Sequence, residues 1–148
     1  MPVLTRSSAA LCGALLVTAC SSAEAPPGVG SGNPAPPVGL SAAVLTSPVE
    51  AGAAAEVRFV NNSTTTLTFN PCVRSLERRA DAAWVPLPDD LRVCTAEVHY
   101  LRAGTEERRT TDVPTDIAPG EYRFRFPMVG ESAAVGNLDV VTSAFTVR

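Results

Sequence analysis

Tyr122-Arg123-Phe124-Arg125-Phe126 alternates without a break, three aromatic rings against two guanidinium groups. A period of two is strand geometry: successive side chains leave opposite faces, so one face of this segment is apolar and the other charged. A helix would scatter the same residues around its circumference. The segment therefore needs a sheet with one face on a core and the other in water, an arrangement typical of antiparallel pairing. Other segments repeat the pattern. Glu56-Val57-Arg58-Phe59 alternates in the same way, and Thr66-Leu67-Thr68-Phe69 does so with threonine outward. Glu97-Val98-His99-Tyr100 puts Val98 and Tyr100 on one face, and Ala144-Phe145-Thr146-Val147 turns Phe145 and Val147 inward. Residues 40–46 and 138–141 are further strand candidates. Turn-forming residues separate these runs: Ser47-Pro48, Asn61-Asn62-Ser63, residues 86–90, Ala103-Gly104 and Pro119-Gly120. Many short strands with frequent turns, and no helical period, predict an antiparallel β-sandwich for residues 40–148. That length suits one domain around one core.

The residues before it read as a leader and a tether. Arg6 is followed by a short apolar run over residues 9–19, broken by Gly13 and Thr18. The run is shorter than the roughly 20 residues a membrane span needs, but it suits the apolar region of a signal peptide. It ends Val17-Thr18-Ala19-Cys20, which resembles the lipobox of bacterial lipoproteins. The resemblance implies cleavage after residue 19, lipid on the Cys20 thiol and acylation of the new amine. Two or more acyl chains on one residue anchor a protein stably, whereas one binds reversibly. Ser21, where an aspartate would imply inner-membrane retention, favours the outer membrane. Residues 20–39 then combine the lipidated cysteine with a Pro-, Gly-, Ala- and Ser-rich stretch whose composition predicts a disordered linker. Its reach is about 25 Å as a coil and about 60 Å as extended polyproline.

Within the domain, Ala118-Pro119-Gly120-Glu121-Tyr122 looks like the entry to a late strand of an immunoglobulin-like sandwich, where such folds place a tyrosine corner. Together with Asn70-Pro71-Cys72, Leu76-Glu77-Arg78-Arg79, Trp84-Val85-Pro86 and Cys94, the pattern resembles a family of immunoglobulin-like domains on bacterial envelope proteins. The resemblance implies about seven strands and carries no catalytic residue.

Of the four cysteines, Cys12 leaves with the signal and Cys20 carries lipid, which leaves Cys72 and Cys94. An isolated pair in a small exported domain is most simply a disulfide. The short loop between them points to neighbouring strands rather than to the long-range bridge of antibody domains, although Trp84 lies between them. A metal site is the competing use. Cys72, Cys94, His99 and Met128 offer one histidine, which is too few for blue copper, and they lack the close cysteine pairs of structural zinc. No metal or other cofactor is therefore expected.

Catalysis finds little support. His99 is the chain's single histidine, and no serine sits in a Gly-x-Ser-x-Gly elbow; Val129-Gly130-Glu131-Ser132 does not complete one. Asp89-Asp90 and Glu106-Glu107 lie in or beside turns and read as solvated charges, and without lysine no phosphate loop can form. The mixed runs Glu77-Arg78-Arg79 and Glu106-Glu107-Arg108-Arg109 read as opposite charges facing one another across strands. The net charge of −3 argues against a nucleic-acid partner. The leading expectation is a lipid-anchored envelope protein, non-catalytic, whose domain binds a protein or glycan or serves as a structural module. The alternative is an envelope proteinase inhibitor acting through residues 86–93, held at one side by Cys94. A hydrolase or metal carrier is the third reading. No binding residue stands out in the sequence.

Overall fold

The computed structural model describes residues 39–88, 92–131 and 135–148. The expected signal peptide (1–19), the lipidated Cys20 and all but the last residue of the 20–39 linker lie outside the described residues.

The domain is all-β, ten strands in two antiparallel sheets that form a sandwich. The smaller sheet has the order β1-β2-β7, from β1 (Leu40–Val44), β2 (Ala54–Asn61) and β7 (Thr105–Asp112). The larger is organised by the eleven-residue β8 (Gly120–Gly130). One side of β8 pairs first with β4 (Ser75–Ala80) and then with β3 (Leu67–Phe69). The other side pairs with β10 (Phe145–Val147) and then β9 (Asn137–Val141). β5 (Ala83–Pro86) extends the sheet beyond β4, and β6 (His99–Leu101) extends it beyond β3. The strand count exceeds seven partly because both neighbours of β8 are broken in two. The chain also passes between sheets: after β1, across the cis Ser47-Pro48 bond, Val49 meets Val147 in a parallel bridge.

The alternation in β8 becomes the core. Tyr122, Phe124, Phe126 and Met128 are buried, while Arg123 and Arg125 face outward, half-buried. Phe59 is the ring that joins the sheets. From β2 it meets Phe69 at 4.8 Å and Phe126 at 4.9 Å, the latter edge-on, as the ring quadrupole favours. Phe124 and Phe145 continue the row, 5.0 Å apart.

Val98 and Tyr100 share a face, as expected, and it is the outer one: Val98 is 56% exposed and Tyr100 59%. His99 takes the inner side instead, against Phe69. Leu101 of the same edge strand, fully buried, shares that inner side, and period alone does not say which of two sides is the inner one. Glu106 and Glu107 lie in the first half of β7, which starts directly after the Ala103-Gly104 turn. All eight residues of that strand are polar, which hid it from a hydrophobic reading, whereas its pairing with β2 runs the whole length from Ala54↔Asp112 to Asn61↔Thr105.

Candidate binding cleft

The polar side chains largely pair with one another. Cys72 and Cys94 form a disulfide, with their Cα atoms 5.6 Å apart. Cys72 follows β3 and Cys94 precedes β6, and these strands are hydrogen-bonded neighbours. Asn70 clasps the loop: its side-chain carbonyl accepts from the Cys72 amide at 2.9 Å and its amide donates to Thr95 O at 2.6 Å. Trp84 is not packed on this bridge; its ring lies 4.5 Å from the Arg123 guanidinium and 5.2 Å from that of Arg79. With both sulfurs bonded and Met128 buried in the core, the considered metal constellation is not assembled. Among the described residues no group of three or more His, Cys, Asp or Glu side chains is placed to hold a metal ion.

His99 sits in an ion cluster at the sandwich edge. Its Nδ1 accepts from Arg109 Nε at 3.2 Å, which leaves Nε2 to carry the proton towards Glu97 Oε1, also 3.2 Å away. Glu107 pairs with the same Arg109. These contacts bridge β6 to β7 and contain no hydroxyl nucleophile. Asp89, Asp90 and Ser132, also weighed for catalysis, lie outside the described residues.

The expected cross-strand charge pairing is present and goes deeper than a surface. Glu77, 4% exposed, accepts from Arg123 Nε at 2.5 Å and from Arg125 Nε at 2.8 Å; Arg125 also reaches Asp139 at 3.3 Å. Burial pushes the Glu77 carboxyl up, but the hydrogen bonds and positive charges of Arg125 and Arg123 outweigh it and hold the group below its ordinary value. The same partners raise Arg125 against its own burial. A lowered carboxylate contributes stability that is complete above its unfolded value, about pH 4.3, and is lost as pH falls through the lower folded value. Glu77→Gln is therefore expected to cost about 2 kcal/mol at neutral pH. Urea unfolding repeated at pH 7 and pH 3 should show the two proteins converging in acid.

Apart from these pairs, the described residues form a cleft of about 320 Å³ at one end of the sandwich. Its floor is Leu76 of β4 and the Tyr122 ring of β8, both buried. Leu87 forms one wall, held by its amide donating to Leu76 O at 2.8 Å. Pro114, Ile117 and Ala118 form the other wall. That wall is fixed twice. The Tyr122 hydroxyl donates to Ala118 O at 2.5 Å, closing the corner into β8. At its start, the Gly52 amide donates to Val113 O and Pro114 O. Gly52 has φ +80°, and a Cβ there would stand 2.8 Å from Thr115 Cγ2, so the approach needs glycine.

Three charges border the apolar floor. Arg92 donates to the carbonyls of Cys72 and Arg74 at 3.0 and 3.2 Å, which ties this side to the disulfide. Arg78 and Asp116 are exposed at the rim. Arg78 was singled out in the sequence only as one member of a charged run. A stronger signal was available in its spacing: Leu76 and Arg78 share a strand face, so the inner side of β4 ends on a charge. Residues 89–91 of the loop considered for protease binding lie outside the described residues; the flanking Val93 is 96% exposed.

Compared with known proteins, the chain matches no family model and no curated protein.

Proposed function

We propose that this chain is a bacterial lipoprotein, held at the outer membrane through lipid on Cys20, and that its domain is a non-catalytic immunoglobulin-like module that binds a partner in the envelope. The lipobox-like Val17-Thr18-Ala19-Cys20 supports the anchor. The Tyr122–Ala118 corner at the head of the longest strand supports the immunoglobulin-like reading. The observation that carries the binding role is the placement of the cleft. Gly39, the first described residue, accepts at its carbonyl from Asn62 beside the Asn61↔Thr105 end of the small sheet. Pro114 and Ile117 lie past the other end of β7, about 25 Å away along the strand. The cleft is therefore open at the end of the small sheet opposite Gly39, with an apolar floor and charges at its rim.

The test has two parts. Mass spectrometry of protein from the membrane fraction should find an acylated Cys20 at the N-terminus, and an unmodified cysteine there overturns the anchor. Crosslinking in intact envelopes followed by pull-down should enrich a partner reproducibly; repeated failure to do so overturns the binding role.

Proteinase inhibition through residues 86–93 is the second reading. It is favoured by the flanks of that segment, pinned at Leu87 by a backbone bond and at Cys94 by the disulfide, with Val93 fully presented. Pre-ordering of this kind lowers the entropy cost of binding. A panel of envelope and secreted proteases unaffected by the purified protein removes it.

A further inference from the structure

Along β4 the burial changes after Glu77: Leu76 and Glu77 are buried, and Arg78, Arg79 and Ala80 are exposed. Arg78, two residues on from Leu76 and so on the same side of the strand, pairs in register with Tyr122 and borders the cleft. An apolar floor that ends on an exposed charge offers a ligand both kinds of contact side by side. Among the described residues no carboxylate forms an ion pair with Arg78, although Asp116 lines the same cleft. Its guanidinium instead lies against Gly120, with Nε 3.4 Å from where a Cβ would be.

We propose, building on the binding role above, that the cleft captures the free C-terminus of a partner protein ending in an apolar residue, with the side chain on the Leu76–Tyr122 floor and the α-carboxylate on Arg78. Three features select this occupant. The volume of about 320 Å³ is at the lower end for small-molecule pockets and suits a single anchoring side chain. Arg78 is two residues from Leu76 on an extended strand, about 7 Å, so the apolar group and the anion must sit close together on the ligand. A C-terminal residue carries both groups on one Cα, whereas in an extended peptide an acidic side chain adjacent to the apolar one points the other way and shares its face only from two residues off, about 7 Å along the backbone. The arginine fork also matches a carboxylate bidentately. Asp116 across the cleft repels a second carboxylate and can accept an incoming peptide N–H.

The test uses the purified full chain, ¹⁵N-labelled, and three acetylated pentapeptides. One is Gly-Ser-Gly-Ser-Leu with a free carboxylate, the second is its C-terminal amide, and the third ends in glycine with a free carboxylate. The first should give saturable shifts at the amides of Leu76, Leu87, Ile117, Ala118 and Tyr122. The amide and the glycine peptide should each bind about fivefold more weakly or less well still. Arg78→Gln, at an exposed position, should erase the preference for carboxylate over amide. Ile117→Asp, which sets a negative charge in the wall, should weaken the leucine peptide in an otherwise native spectrum. Equal affinity for carboxylate and amide, an unchanged preference in Arg78→Gln, or shifts away from these residues would overturn the proposal. A crosslinked envelope partner retained equally by wild type and Arg78→Gln would remove this site while leaving the binding role standing.

Discussion

Phe59→Ala is expected to lower the free energy of unfolding by about 3–5 kcal/mol, the range for deleting a buried aromatic ring. Phe59 is fully buried, and it is the contribution of the small sheet to the row of rings between the layers. Its neighbours, Phe69 and Phe126, are fixed by hydrogen-bonded strands on the opposite sheet, so they cannot move across to fill the space. The lost transfer energy and the residual cavity therefore add. Against a total of about 5–15 kcal/mol for a domain of this kind, the change removes a large share of stability. Thr110→Ala, on the exposed face of the adjoining β7, should change it by less than about 0.5 kcal/mol. Denaturant titrations of both variants check this. A shift of the Phe59→Ala midpoint no larger than that of Thr110→Ala would show that the sheets are not held together through this ring.

The difference between those two positions was legible in the sequence. Val57 and Phe59 alternate with Glu56 and Arg58, as do the aromatics and arginines of β8, and the structure buries each apolar set. Such segments have one buried face and one wet face, which is the condition under which period two carries information. β7 and β4 lack it. Their inward positions hold residues such as Thr111 and Arg78, so their strand character comes from long-range pairing with β2 and β8. In β6 the alternation was real but left open which face is inner: His99 and the buried Leu101 take it, and Tyr100 faces out. The neighbouring-strand placement of the disulfide followed from loop length. The cleft did not, because it is assembled from β4, the segment after β5 and the 114–118 corner, which are brought together only by the fold. Arg74 is another such case. Following the Cys72 turn, it donates to Thr111 Oγ1 and to Asp112 O, and so ties the larger sheet to the edge of the smaller one. Nothing in Cys72-Val73-Arg74 as a string announces a buried arginine.

The same turn makes the disulfide the second large lever. Replacing Cys72 and Cys94 together by alanine should cost about 3 kcal/mol, from the entropy of leaving a loop with a sequence separation of 22 unclosed in the unfolded chain. For a domain near 100 residues that corresponds to a fall in Tm on the order of 10–20 °C. Part of the effect should be local. Arg92 bonds to Cys72 O and Arg74 O, and Asn70 bonds to the Cys72 amide and Thr95 O, so the bridge sits inside a set of contacts that positions one side of the cleft. If the bridge also orders this wall in the folded state, amide exchange in the double variant should accelerate at Leu87 and Arg92 more than at Phe124 or Val140 in the centre of the sheet. Uniform acceleration at all four would mean that the bridge acts through the unfolded chain alone. Selective acceleration would mean that the cystine holds the site as well as the fold, and that reduction should weaken binding at the cleft before it unfolds the domain.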